Sequence, residues 1–96
     1  MKVALIGYGK MGKAIEQLLI ERGHTVVATF GEAGINKSEL ATADVAIEFS
    51  QPQAAFGNLK VCFENKVPVV IGTTGWLENY VEATTLCKQN KAAMLY

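Results

Sequence analysis

Lys2-Val3-Ala4-Leu5-Ile6-Gly7-Tyr8-Gly9-Lys10-Met11-Gly12 opens the chain with a compact apolar run and then three glycines in G-x-G-x-x-G spacing. Lys2–Ile6 suits a strand buried on both faces, as in a parallel sheet. A helical pattern follows directly, with Met11, Ile15, Leu18 and Leu19 on one face and Lys13, Glu16 and Gln17 outside. The order strand, glycine turn, helix gives the spacing physical meaning, which the glycines alone lack. Gly7 permits a tight turn, Gly9 removes a Cβ where a pyrophosphate would approach the backbone, and Gly12 lets the helix lie close to the strand. The unpaired N–H groups and positive dipole end of that helix suit phosphate.

Outward from this unit the alternation continues. Gly23 is the expected helix stop, before a second strand at Thr25–Phe30. Residues 31–42 are polar and glycine-interrupted, with room for one helical turn at most. Asp44–Phe49 reads as a third strand. Ser50 is placed as the cap of the next helix, with Gln53 completing a capping box and Pro52 in the first turn. That helix runs to about residue 65 on Ala55, Leu59, Cys62 and Phe63. A fourth strand follows at Val67–Ile71, then a helix on Leu77, Tyr80, Val81, Thr84 and Cys87, and a fifth strand begins at Ala92–Tyr96. The expectation is an α/β fold of the Rossmann type: a doubly wound parallel sheet in three αβα layers, one domain over residues 1–96, stopping inside strand five. An unpaired last strand leaves an edge and apolar surface, so self-association is expected.

Composition narrows the function. Lys plus Arg and Asp plus Glu are nine each, giving zero formal net charge, so general attraction to nucleic acid or anionic lipid is not expected. No window approaches the roughly 20 apolar residues of a membrane span, and the N-terminal apolar run is too short for a signal sequence. The chain reads as cytoplasmic. Cys62 and Cys87 show no metal-ligand spacing and read as reduced, small hydrophobes; no metal site is expected.

Ligand chemistry in an open parallel sheet gathers beyond the carboxyl ends of the strands. Three segments besides the Gly7 turn reach that edge. After the second strand, where an acid often binds ribose hydroxyls, the chain has Gly31 and then Glu32; either ribose binding or ordinary solvation fits Glu32. With no acid fixed at Gly31, repulsion of a 2′-phosphate is weaker, so NADPH and NADH are both compatible. Lys10, Lys13 and Lys37 fit either a positive partner for that phosphate or ordinary solvation. After the third strand come Phe49 and Ser50. After the fourth, Gly72-Thr73-Thr74-Gly75 offers hydroxyls and N–H groups to a nicotinamide ribose or carboxamide.

Gly7-Tyr8-Gly9-Lys10-Met11-Gly12, Ile47-Glu48-Phe49-Ser50-Gln51-Pro52 and Val70-Ile71-Gly72-Thr73-Thr74-Gly75-Trp76, in this order, resemble the N-terminal domain of the dihydrodipicolinate reductase family of bacterial lysine and diaminopimelate biosynthesis. The resemblance spans essentially the whole chain. It implies an oxidoreductase transferring hydride from NAD(P)H to a cyclic dihydrodipicolinate-type dicarboxylate. Gly7, Tyr8, Gly9, Lys10, Met11 and Gly12 would hold the pyrophosphate, and Gly72, Thr73 and Thr74 the nicotinamide end. Phe49 and Ser50 would lie beside the ribose. The family's acid falls on Gly31, with Glu32 next, and Glu48-Phe49-Ser50 replaces the more usual Asp-Phe-Thr. A C-terminal domain supplies the family's substrate-binding, proton-delivering and homotetramer-forming residues; this chain is expected to contain no catalytic residue and to be inactive alone. The alternatives are an NAD(P)-sensing regulatory module and the N-terminal domain of another amino-acid-pathway dehydrogenase.

Overall fold

Strand β1 (Lys2–Ile6) pairs on one side with β2 (Thr25–Phe30) and on the other with β3 (Val45–Glu48); β4 (Val69–Ile71) and β5 (Met94–Leu95) extend the sheet beyond β3. This computed structural model describes residues 1–31, 34–73 and 75–95. All pairings are parallel and the order is β2-β1-β3-β4-β5. The chain winds outward from β1 to β2, returns across β1 to β3, and then continues the other way. Right-handed crossovers therefore put the first helix on one face and the later ones on the other. This is the expected doubly wound Rossmann-type sheet. The strand bounds are shorter than expected for β3, β4 and β5, and Tyr96 lies outside the described residues.

Alternation along the strands assigns the two faces. Ala4, Ala46 and Val69 stand in register, almost wholly buried, and join Phe30, Leu40, Leu59, Phe63 and Trp76 in the main core. That core lies under α2 (Lys37–Leu40), α3 (Pro52–Glu64) and α4 (Tyr80–Gln89), the last preceded by a 3₁₀ turn at Leu77–Asn79. The opposite face is covered by α1 (Lys10–Glu21), which packs on β1 and β2. Across it runs the register row Leu5, Ile47, Val70 and Leu95. Leu5 is fully buried, Ile47 half-buried, Val70 38% exposed and Leu95 66% exposed, so cover on this face ends beyond β3.

The α3 face matches expectation: Ala55, Leu59, Cys62 and Phe63 are all buried. Two other helix faces do not. In α1, Met11 and Leu18 are exposed, Ile15 and Leu19 half-buried, and the buried residue is Gly12, because the helix presses its glycine against the β1 turn. Leu77, in the 3₁₀ turn before α4, and Val81 are exposed, whereas Ala83 is buried and Leu86 and Cys87 pack on the core. In both helices the buried residue is the small one, Gly12 in α1 and Ala83 in α4. Ser50 is not the α3 cap either. Gln51 holds that position without a side-chain bond, and the Ser50 hydroxyl turns to Glu48 instead.

Three helices end alike. After α1, Gly23 (φ 84°) and His24 donate to the carbonyls of Ile20 and Leu19. After α3, Lys66 (φ 58°) and Val67 donate to Phe63 and Cys62; after α4, Lys91 (φ 52°) and Ala92 donate to Lys88 and Cys87. Each is a Schellman motif whose left-handed residue favours glycine, yet two carry lysine. Lys91→Gly is expected to raise stability by about 0.5–1 kcal/mol, and Gly23→Ala to lower it by about 1 kcal/mol. Denaturant midpoints at unchanged slope check both.

Candidate functional site

The winding reverses between β1 and β3, and their carboxyl ends part to leave a cleft of about 590 Å³. Its walls come from Ile6, Gly7, Tyr8 and Gly9 after β1, Gly31, Gly34 and Ile35 after β2, and Phe49, Ser50, Gln51, Ala54 and Asn58 after β3 and in α3. Three of the segments singled out in the sequence thus meet in one cavity.

The three glycines of the first turn have different reasons to be glycine. Gly7 has φ 100°, and a Cβ there would sit 2.2 Å from the Phe49 carbonyl oxygen. A Cβ on Gly12 would sit 2.5 Å from the Gly7 carbonyl oxygen. Both are demands of the protein's own packing. Gly9 differs: it has negative φ, it is exposed, and a Cβ there would meet nothing within 4 Å. The open space at Gly9 lies beside the start of α1, whose first turn has no capping side chain and no acid. Its free N–H groups and the exposed Lys10 and Lys13 make an anion-accepting corner.

Tyr8 lines the cleft, and its hydroxyl donates to Glu16 Oε1 at 2.5 Å. That bond to a carboxylate holds the phenol above its ordinary pKa. Lys13 Nζ lies 5.8 Å from the Tyr8 ring centroid. Glu16, expected on the solvent side, is therefore half-buried as the partner of Tyr8. Met11 and Lys10 are exposed beyond the cleft's lining. Gly31 is exposed in the wall below β2; Glu32 lies outside the described residues, as does Thr74.

The Gly72 loop meets the cleft through Phe49. A Cβ on Gly72 would sit 2.9 Å from Phe49 Cδ1, and Gly72 N–H donates to the Glu48 carbonyl at 2.6 Å. Thr73 is buried, and its hydroxyl is already engaged: it donates to Glu48 Oε1 and accepts from the Ser50 N–H at 2.8 Å. Gly72 is thus exposed with its N–H already engaged, while the Thr73 hydroxyl faces inward. The sequence places Glu48 at this edge without giving it a role, and does not single out Asn58. The available signal was parity, since Glu48 lies two residues after the buried Ala46 and must share its inward face.

A family model described as "Dihydrodipicolinate reductase, N-terminus" matches residues 1–96. The chain belongs to the dihydrodipicolinate reductase family. Among relatives in this reductase family, the 4-hydroxy-tetrahydrodipicolinate reductase of Christiangramia forsetii is 43% identical over 100 residues, covering 100% of this chain and 41% of the relative. That of Staphylococcus haemolyticus is 37% identical over 93 residues, covering 85% of this chain and 37% of the relative. The chain thus spans about two fifths of the length of these dihydrodipicolinate reductases. Among solved structures, a hyperthermophilic archaeal homoserine dehydrogenase mutant in complex with NADPH superposes with TM-score 0.77 at 16% identity, covering 99% of this chain and 43% of that one. A putative homoserine dehydrogenase from Archaeoglobus fulgidus gives 0.76 at 17% identity, covering 100% and 42%. At such identities the likeness is one of fold.

Among the described residues no cluster of His, Cys, Asp and Glu could hold a metal ion, and no helix is long and apolar enough to cross a membrane. Both cysteines are free. Burial, with the Glu48 carboxylate as a lesser cause, pushes the Cys62 thiol up to about 12 from 9.0.

Two expectations follow. Gly7→Ala should lower stability by about 2–4 kcal/mol, combining left-handed strain with over-packing, whereas Gly9→Ala should stay within about 0.5 kcal/mol; thermal or urea unfolding distinguishes them. In a thiol assay of the native protein near pH 8, Cys87 should react while Cys62 stays silent, with about one in ten thousand of its thiols ionised. Because the folded chain keeps the Cys62 proton to about 12, this contribution to stability is complete below pH 9.0 and falls as pH rises toward 12.

Proposed function

We propose that the cleft binds a nicotinamide dinucleotide, and that the chain is the cofactor-binding part of a reductase moving hydride from NADPH or NADH to a dihydrodipicolinate-type cyclic dicarboxylate. The observation that carries the reading is the empty approach at Gly9 beside the uncapped start of α1. Family membership supplies the reaction class. The dinucleotide, when bound, supplies the hydride.

The residues of the chain bind and orient. The Gly7–Gly12 turn holds pyrophosphate on backbone N–H groups. Gly31, Gly34 and Ile35 form the adenosine end, with Glu32, next to Gly31 in the sequence, as the acid for a ribose hydroxyl. Phe49, Ser50 and the Gly72 loop, with Thr73 and Thr74, form the nicotinamide end. The substrate's carboxylates and the transferred proton are assigned to residues outside this chain, as are the contacts of a homotetramer, since the relatives are more than twice as long. The 96 residues alone are accordingly expected to bind cofactor and turn nothing over. The cytoplasmic setting belongs to the same proposal.

Trp76 is the sole tryptophan and lies one residue past Gly75. Reduced dinucleotide bound at this edge should quench its fluorescence by energy transfer, so titration with NADH and NADPH measures both binding and preference. Gly9→Val should weaken binding at least about 100-fold by crowding the pyrophosphate, while leaving the unfolding midpoint nearly unchanged. Absence of binding by the unaltered full-length protein would refute the cofactor reading; binding without turnover of the cyclic dicarboxylate would favour a nucleotide-sensing module.

A further inference from the structure

Strand β3 ends on a carboxylate that solvent does not reach. Glu48 is 0% exposed and lies on the core face of the sheet, two residues after Ala46. Burying a carboxylate is costly unless donors surround it, and here they do. Oε2 accepts from Asn58 Nδ2 at 3.0 Å, from the Ser50 N–H at 3.3 Å, and from the Ser50 hydroxyl. Oε1 accepts from the Thr73 hydroxyl. Asn58 Nδ2 also reaches Ser50 Oγ at 3.0 Å.

One side chain therefore joins three elements, the end of β3, the middle of α3, and the loop after β4, the last 25 residues away in sequence. Ser50 and Asn58 line the cleft, whereas Glu48 stands behind its wall. The adenosine end, at Gly31, Gly34 and Ile35, has no bond to this network among the described residues.

We propose that Glu48 is a positioning residue for the nicotinamide end of the cleft. Its carboxylate locks Thr73 against Ser50, and so sets the Gly72 backbone beside Phe49 before any ligand arrives. The proposal rests on the dinucleotide reading of the cleft and adds to it a division of labour. The segments that hold the pyrophosphate and the adenosine do not depend on Glu48; the loop at the nicotinamide end does.

The probes are NADH, NADPH and ADP, titrated into the full-length protein, with ADP read by displacement. Binding by the unaltered protein tests the cofactor reading separately. Glu48→Gln can accept on only one of its two sides, so it is expected to weaken NADH and NADPH about tenfold while ADP stays within about twofold. Thr73→Val, which deletes the hydroxyl at the other end of the bond, should give the same split, and Thr73→Ser, which keeps it, should restore affinity. If Glu48→Gln fails to fold, the two Thr73 variants decide. Parallel loss of ADP and dinucleotide, or loss of neither, overturns the proposal.

Discussion

The approach of the Gly7 turn to the end of β3 governs the ligand-facing edge of this molecule. With a Cβ position only 2.2 Å from the Phe49 carbonyl oxygen, the two chain segments touch backbone to backbone. Gly7 N–H is meanwhile tied to the Phe30 carbonyl at 2.8 Å, and Phe49 N–H to that of Ile6 at 2.9 Å. The exits of β2, β1 and β3 are thus knitted together below the point where the strands part. Everything above that point is a cleft because everything below it is closed. The start of α1 faces the opening in consequence, since Gly12 brings the helix down onto the Gly7 carbonyl.

Much of this was legible in the chain itself, because its causes are local. A strand, three glycines and a helix in immediate succession specify the first turn, and Gly23 specifies where α1 ends. The α3 stripe of Ala55, Leu59, Cys62 and Phe63 was readable because its opposite face is plainly polar. What escaped had causes at a distance. The sequence around Ser50 has the form of a capping box, but a buried carboxylate two residues earlier and a threonine 23 residues later compete for the serine and win. In α4 the apolar residues are scattered around the helix, so periodicity offered more than one face. The buried one is marked by Ala83, whose small size suits close packing and whose weak hydrophobicity hides it.

The same contrast explains which part of the site was found. Glycines advertise themselves, since few other reasons put three of them in that spacing. Glu48 does not, because a carboxylate in a sequence usually signals solvent, and its actual role is visible only when Asn58, Ser50 and Thr73 are seen to converge. Cys62 is unreactive chiefly through its own burial, to which the nearby Glu48 carboxylate adds as a lesser cause.

The row Leu5, Ile47, Val70 and Leu95 has a further consequence. Cover from α1 fades strand by strand along it, from buried Leu5 to Val70 at 38% exposure. Opening free energies in proteins follow such gradients. On that basis the amide hydrogens of β1 are expected to exchange more slowly than those of β4, where Val70 stands 38% exposed. The sheet is therefore expected to be graded in time as well as in space, firm at the Gly7 turn and looser toward the Gly72 side of the sheet.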